Sequence, residues 1–174
     1  NNQLSLLCEK NVTDGAVVII ENTTGNVLAL VGSRNFFNPQ SGQVNGAWAP
    51  RSAGSTFKPF AYLLALEKGM TPATLIADVP TIFATSTGIF EPQNYNRQFH
   101  GPILFRRALA ASLNIPAVKI LKNIGGAVVL QDRLRECGLT TLQQEAAHYG
   151  LGLAIGNAET RLLELANAYA CLAR

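Results

Sequence analysis

Between Thr56 and Lys68 the chain sets Phe57, Phe60, Ala61 and Leu64 at helical spacing, and Pro59 sits inside that run. Proline has no N–H to give to an interior turn and its ring strikes the carbonyl four residues back, so it is tolerated only in the first turn. The helix must therefore begin close to Ser55, and Gly69 ends it. Leu63 and Leu66 add apolar residues on the other side, which predicts a helix buried nearly all round. Any fold of this chain has to wrap other elements around that helix. A polar group on its first turn then enters an apolar interior.

The 174 residues suit one domain, and a chain of this size buries roughly 70% of its unfolded surface without needing a staple. Hydrophobic residues make up 48% and charged residues 14%, which excludes a disordered or acidic tail. The net charge of +3 comes without a basic run, so nucleic acid is not an expected partner. Cys8, Cys137 and Cys171 are too scattered for a zinc site or a disulfide framework. His100 and His148 have no ligand spacing near them, and no metal or cofactor is expected. The longest apolar stretch, Ile103 to Leu121, is broken by Arg106, Arg107, Asn114 and Pro116, so no span of a bilayer is expected. The chain lacks an initial Met and stops at Arg174 inside a helical pattern, which suggests a piece of something longer.

Ala16–Ile20 and Val27–Val31 are short β-branched runs on either side of Asn22–Thr23–Thr24–Gly25–Asn26. They read as a hairpin of largely buried strands. Asn22–Thr24 and Asn11–Thr13 both match a glycosylation acceptor, although a hairpin turn explains the first better. Gly32 to Gly54 is rich in Gly, Asn, Pro and Ser and reads as a loop, and Thr71 to Gly101 reads as mostly irregular. Helical spacing returns around Phe105–Leu109, from Pro116 to Ile124, and around Val129–Cys137. It returns again from Thr160 to Leu172, where Leu162, Leu165, Ala166, Tyr169 and Leu172 form one stripe. A hairpin followed by a helical body is an α+β arrangement.

Ser55 and Lys58 lie three residues apart at the start of the buried helix, on one face of its first turn. A serine hydroxyl attacks a carbonyl only when something takes its proton, and an amine does so once its pKa is lowered. Burial disfavours the ammonium, as does the positive end of a helix N-terminus. A core helix is otherwise a costly place for an amine. Ser112–Leu113–Asn114 lies at the junction before Pro116, where both polar side chains are candidates for helix capping or for chemistry. In the chemical reading Ser112 relays a proton, and Asn114 bonds both a substrate amide and Lys58.

Three segments together carry a resemblance: Gln43–Val44–Asn45, Arg51 to Phe60 around Ser-x-x-Lys, and Ala111 to Val118 around Ser-x-Asn. The chain resembles the transpeptidase domain of class A penicillin-binding proteins, and among its branches it is most similar to type 1C. Asn94–Tyr95–Asn96, the strand pair and Gly150 to Ala170 also look like that family. The resemblance implies part of the penicillin-binding-protein and serine β-lactamase transpeptidase fold: an N-terminal β-hairpin and a mainly helical subdomain, with the C-terminal sheet strands beyond Arg174. Residues 1–14 would be a lead-in and residues 15–174 the partial transpeptidase domain.

The resemblance further implies a D,D-transpeptidase that cross-links peptidoglycan at the bacterial periplasm or the outer face of the inner membrane, anchored by a segment outside these residues. Ser55 would attack the carbonyl of a D-Ala-D-Ala stem peptide, Lys58 would be the general base, and Ser112 and Asn114 would complete the set. β-Lactams would acylate the same serine. The family's third motif, K-T/S-G on a later strand, does not occur here, and His148–Tyr149–Gly150 is no substitute for it. The isolated chain is therefore expected to acylate slowly or not at all, and to self-associate through its uncovered hairpin or last helix. Other readings of the same residues are a penicillin-recognition sensor that is acylated without turnover, and a purely structural domain.

Overall fold

The computed structural model describes residues 2–10, 12–85 and 88–174. In chain order its elements are α1 (Asn2–Ser5), β1 (Val17–Ile20), β2 (Val27–Val31), β3 (Arg51–Ser52) and α2 (Lys58–Glu67). There follow β4 (Leu75–Asp78), β5 (Phe83–Thr85), β6 (Gly88–Phe90), β7 (Gly101–Leu104), α3 (Phe105–Ala110) and α4 (Asn114–Asn123). The last are α5 (Ala127–Glu136), α6 (Ala146–Tyr149), β8 (Glu159–Thr160) and α7 (Leu162–Cys171), with 3₁₀ segments at Cys8–Lys10, Gly54–Phe57 and Gly150–Ile155. The mixture of small ladders and helices is α+β. The chain divides into two compact units, the first made of Asn1–Arg51, Arg135–Leu142 and Glu159–Arg174, the second of Ser52–Leu134 and Gln143–Ala158.

In the first unit β1 and β2 pair antiparallel, Val17 opposite Val31, around a turn closed by Glu21 N–H on the Asn26 carbonyl at 2.9 Å. The expectation of largely buried strands fails. Val17 and Ile19 are 50% exposed and Leu28 64%. A two-stranded ribbon packed by one helix, here α7 against β1, leaves one face open. The stripe expected on α7 is likewise only half-covered; the residues it buries best are Ala168 and Ala170. The glycine- and asparagine-rich loop is ordered by short side-chain turns. Asn35, Asn38 and Asn45 each accept a backbone N–H two residues on, at 2.9 to 3.1 Å, which is why that composition suits it. Asn11 and the side chain of Cys8 lie outside the described residues.

The second unit is built on α2 and α4, which pack together and against the 3₁₀ segment Gly150–Ile155. Phe57, Phe60, Ala61, Ile115, Val118, Ile120, Leu121, Leu153 and Ala154 are fully buried. Pro59 stands in the first turn of α2 as its chemistry requires. The one exposed apolar position on that helix is Leu66, at 39%. The stretch from Thr71 to Gly101, read as mostly irregular, contains two ladders instead. β4 pairs with β7 and β5 with β6, both antiparallel. Each strand is only three or four residues long, too short for periodicity to rise above the prolines around it.

Candidate active site

Lys58 is the first residue of α2 and only 1% exposed. Its Nζ donates to the backbone carbonyl of Ser112, to Ser112 Oγ at 3.1 Å and to Asn114 Oδ1 at 2.7 Å. Three N–H groups meet three acceptors, so the buried ammonium is fully bonded. Burial nevertheless disfavours the charge and pushes Lys58 from the ordinary 10.5 down to about 8. A free amine has two hydrogens and a lone pair, so one of the three contacts must then reverse. Neither a carbonyl nor the Asn114 oxygen can donate, whereas a hydroxyl can do either. Ser112 Oγ is therefore the partner that serves both protonation states of Lys58.

Ser112 is held for this by the end of α3. Ser112 N–H bonds the Leu109 carbonyl at 2.9 Å and Leu113 N–H the Ala108 carbonyl at 3.0 Å, the paired closure of a Schellman motif. That motif places its next-to-last residue in left-handed backbone, usually a glycine's position. Here Ser112 occupies it at φ 52°. A serine there is strained by about 1–2 kcal/mol relative to glycine, a cost consistent with a side chain retained for what its hydroxyl does.

Asn114 opens α4, and its side chain is fixed at both ends. Oδ1 accepts from Lys58, while Nδ2 donates to the Gln93 carbonyl at 2.7 Å. Its own N–H donates to Asn94 Oδ1 at 2.8 Å. With Nδ2 on a carbonyl and Oδ1 on an ammonium the amide orientation is settled, and one Nδ2 hydrogen is left over. The capping alternative gives way for Asn114, whereas Ser112 does stand at the closing turn of α3. The N-cap of α4 is Leu113, and it makes no side-chain capping bond.

Ser55 lies in the 3₁₀ segment immediately before α2 and is exposed. No hydrogen bond joins it to Lys58. The three Lys58 hydrogens go to Ser112 and Asn114, and Ser55 is exposed to solvent. Its backbone is fixed from behind. Gly54 N–H donates to the Gly156 carbonyl at 3.2 Å and Ala53 N–H to the Ala158 carbonyl at 3.0 Å, while Ser52 Oγ reaches the same Gly156 carbonyl at 3.0 Å. Gly156 has φ 78°, and a Cβ on it would run into the Gly54 backbone. Only glycine permits that approach.

The other described polar residues of this region make no direct hydrogen bond to Lys58. His100 is bound to Asp78 through Nδ1 at 2.8 Å. His148 is exposed and stacks edge-on against Tyr149. Arg97, Arg106 and Arg107 are exposed. In the first unit, Phe36 and Phe37 pair edge to face, and Trp48 stacks under the Arg161 guanidinium. Sequence reasoning did not single out Asp78, Gln93 or Gly156. An aspartate closing the short apolar run Leu75–Ile76–Ala77 was the available signal.

Residues 15–169 match the family profile of the Penicillin binding protein transpeptidase domain. Penicillin-binding protein 1C of Escherichia coli (strain K12) is 37% identical over 161 residues, covering 91% of this chain and 20% of that protein. The crystal structure of penicillin-binding protein 1A from Haemophilus influenzae superposes with a TM-score of 0.80 at 31% identity, over 90% of this chain and 23% of that one. A Mycobacterium tuberculosis penicillin-binding protein in complex with penicillin V gives a TM-score of 0.76 at 27% identity, over 99% of this chain and 49% of its own. The chain belongs to the transpeptidase domain family of class A penicillin-binding proteins. It spans about a fifth of the length of the curated relatives it matches.

Proposed function

We propose that this chain carries the acylation centre of a peptidoglycan D,D-transpeptidase, with Ser55 as nucleophile and Lys58 as general base. The observation that carries the reading is a buried lysine with no carboxylate partner, lowered toward neutrality and hydrogen-bonded to Ser112 and Asn114, one turn after an exposed serine. In its free-base form Lys58 takes the Ser55 proton as Oγ attacks the carbonyl of a D-Ala-D-Ala stem peptide. The tetrahedral adduct collapses with cleavage of the C–N bond, and the proton passes through Ser112 Oγ to the departing D-alanine nitrogen. The amine of a second stem peptide then attacks the acyl-enzyme, the same base takes its proton, and the acyl C–Oγ bond breaks as that proton returns to Ser55 Oγ. The free Nδ2 hydrogen of Asn114 suits a substrate amide carbonyl.

A β-lactam presents a strained amide to the same serine and leaves it acylated. The site would face the periplasm or the outer surface of the inner membrane, where stem peptides are. The test is covalent labelling of the full-length protein by a fluorescent penicillin. Ser55→Ala is expected to abolish labelling and Lys58→Ala to slow it by at least about 100-fold. An adduct mapped by mass spectrometry to any other residue overturns the assignment.

A further inference from the structure

The N-terminus of α4 holds Asn114, and it has no side-chain cap of its own. Its first N–H groups are served from elsewhere. Asn94 Oδ1 accepts Asn114 N–H at 2.8 Å and Ile115 N–H at 3.5 Å, acting as the missing cap from a loop twenty residues upstream. Asn94 is 3% exposed, and its other end is fixed just as fully. Nδ2 donates to both carboxylate oxygens of Asp78, at 2.9 and 3.0 Å, and to the Gln98 carbonyl at 2.9 Å. Asp78 is wholly buried and lies on β4 opposite Gly101 of β7. The neighbouring His100 closes on it with its backbone N–H at 3.0 Å and with Nδ1 at 2.8 Å.

These contacts run without a break from a buried carboxylate to the lysine. Asp78 orients the Asn94 amide, and that amide fixes the first turn of α4. The same loop supplies the Gln93 carbonyl that holds Asn114 Nδ2, and Asn114 Oδ1 then meets Lys58. We propose that Asn94, oriented by Asp78, is a positioning residue for acyl transfer, setting where Asn114 and hence the Lys58 amine stand relative to Ser55. The proposal rests on the acyl-transfer reading above and adds residues outside the Ser-x-x-Lys and Ser-x-Asn motifs. Burial makes the bracket stiff: an unpaired Asp78 or Asn94 has no water to turn to.

The experiment measures the second-order rate constant for labelling of the full-length protein by a fluorescent penicillin, expressed per folded molecule. Asn94→Asp keeps the shape and the acceptor facing α4 but sets a carboxylate against Asp78. It is expected to slow labelling about 10- to 100-fold, the scale of an ångström's misplacement. The reciprocal pair Asn94→Asp with Asp78→Asn restores the donor–acceptor match between the two side chains but not the bond to the Gln98 carbonyl, and is expected to return the rate to within about five-fold of the parent. A purely structural role lowers the melting temperature of the single variant but leaves the rate per folded molecule unchanged, which overturns the proposal. If the single variant does not fold, the double variant decides. Labelling within about five-fold of the parent supports the bracket, whereas failure to fold or a rate still about 10-fold down overturns it. Ser55→Ala in the same series keeps the two readings apart. Labelling that survives it sinks the acyl-transfer reading, whereas labelling that depends on Ser55 but ignores Asn94 sinks only this one.

Discussion

With Lys58 held near about 8, about a tenth of the molecules carry the free amine at pH 7 and about nine-tenths at pH 9. For a lysine at the ordinary 10.5 the same fractions are about 0.03% and 3%. The acylation rate is therefore expected to rise about ten-fold from pH 7 to pH 9 and then level off. An unperturbed base would give a rise of about a hundred-fold with no plateau. Rates of fluorescent-penicillin labelling in the full-length protein, taken across that range, distinguish the two. A rate that is flat, or still climbing in proportion to hydroxide at pH 10, refutes burial as the source of the base. Stability must move with the same proton. Below about 8 both folded and unfolded chains hold it, and the folded chain bears the cost of a buried cation. Between about 8 and 10.5 only the unfolded chain is protonated, so stability climbs with pH; above 10.5 the cost is gone. That interval corresponds to about 3 kcal/mol. The difference in unfolding free energy between wild type and Lys58→Met, followed by a probe in this domain, should shift toward wild type by that order across the window. A difference that does not change with pH contradicts the account.

Two substitutions probe the backbone that presents the site. Ser112→Gly relieves the left-handed strain and is expected to raise stability by up to about 1 kcal/mol. It removes the one partner able to serve both states of Lys58, so labelling should slow by at least about 10-fold; melting temperature and rate, measured together, show whether the two move in opposite directions. Gly156→Ala drives a methyl group into Gly54 and adds backbone strain, for an expected loss of about 2–4 kcal/mol. A variant that melts within a degree or two of the parent would show that the Gly54 backbone has room to yield.

The positions of the proposed site residues were legible because they follow from short-range constraints. Pro59 pins the helix start, so Ser55 and Lys58 are placed on its first turn from the sequence alone. Ser112 and Asn114 fall at a junction that Pro116 makes predictable. What stayed hidden is what holds them. Asp78, Asn94 and Asn114 lie sixteen to thirty-six positions apart and meet only because β4 and β7 pair. No local pattern encodes a bond across such a distance. Asn94 entered the sequence reading as part of a family likeness, without a job. The hairpin failed in the other direction. Apolar alternation reports a strand but not whether anything covers it, and Val17, Ile19 and Leu28 remain half or more exposed. The capping alternative for Asn114 was equally reasonable from sequence, and only the geometry shows the cap arriving from Asn94.

The three acceptors around Lys58 are a backbone carbonyl, a hydroxyl and an amide, none of which carries a charge. Catalytic lysines poised by a neighbouring ion are hostage to the counter-ions around them, because dissolved salt weakens a Coulomb attraction or repulsion over roughly 8 Å at physiological ionic strength. Here desolvation alone lowers the amine, and mobile ions do not enter a packed interior to restore the lost water. If Lys58 is the general base proposed above, its readiness is a property of how tightly the second unit is packed. It should hold nearly constant whether the surrounding fluid is dilute or saline, a useful independence for a site that would work outside the buffered cytoplasm.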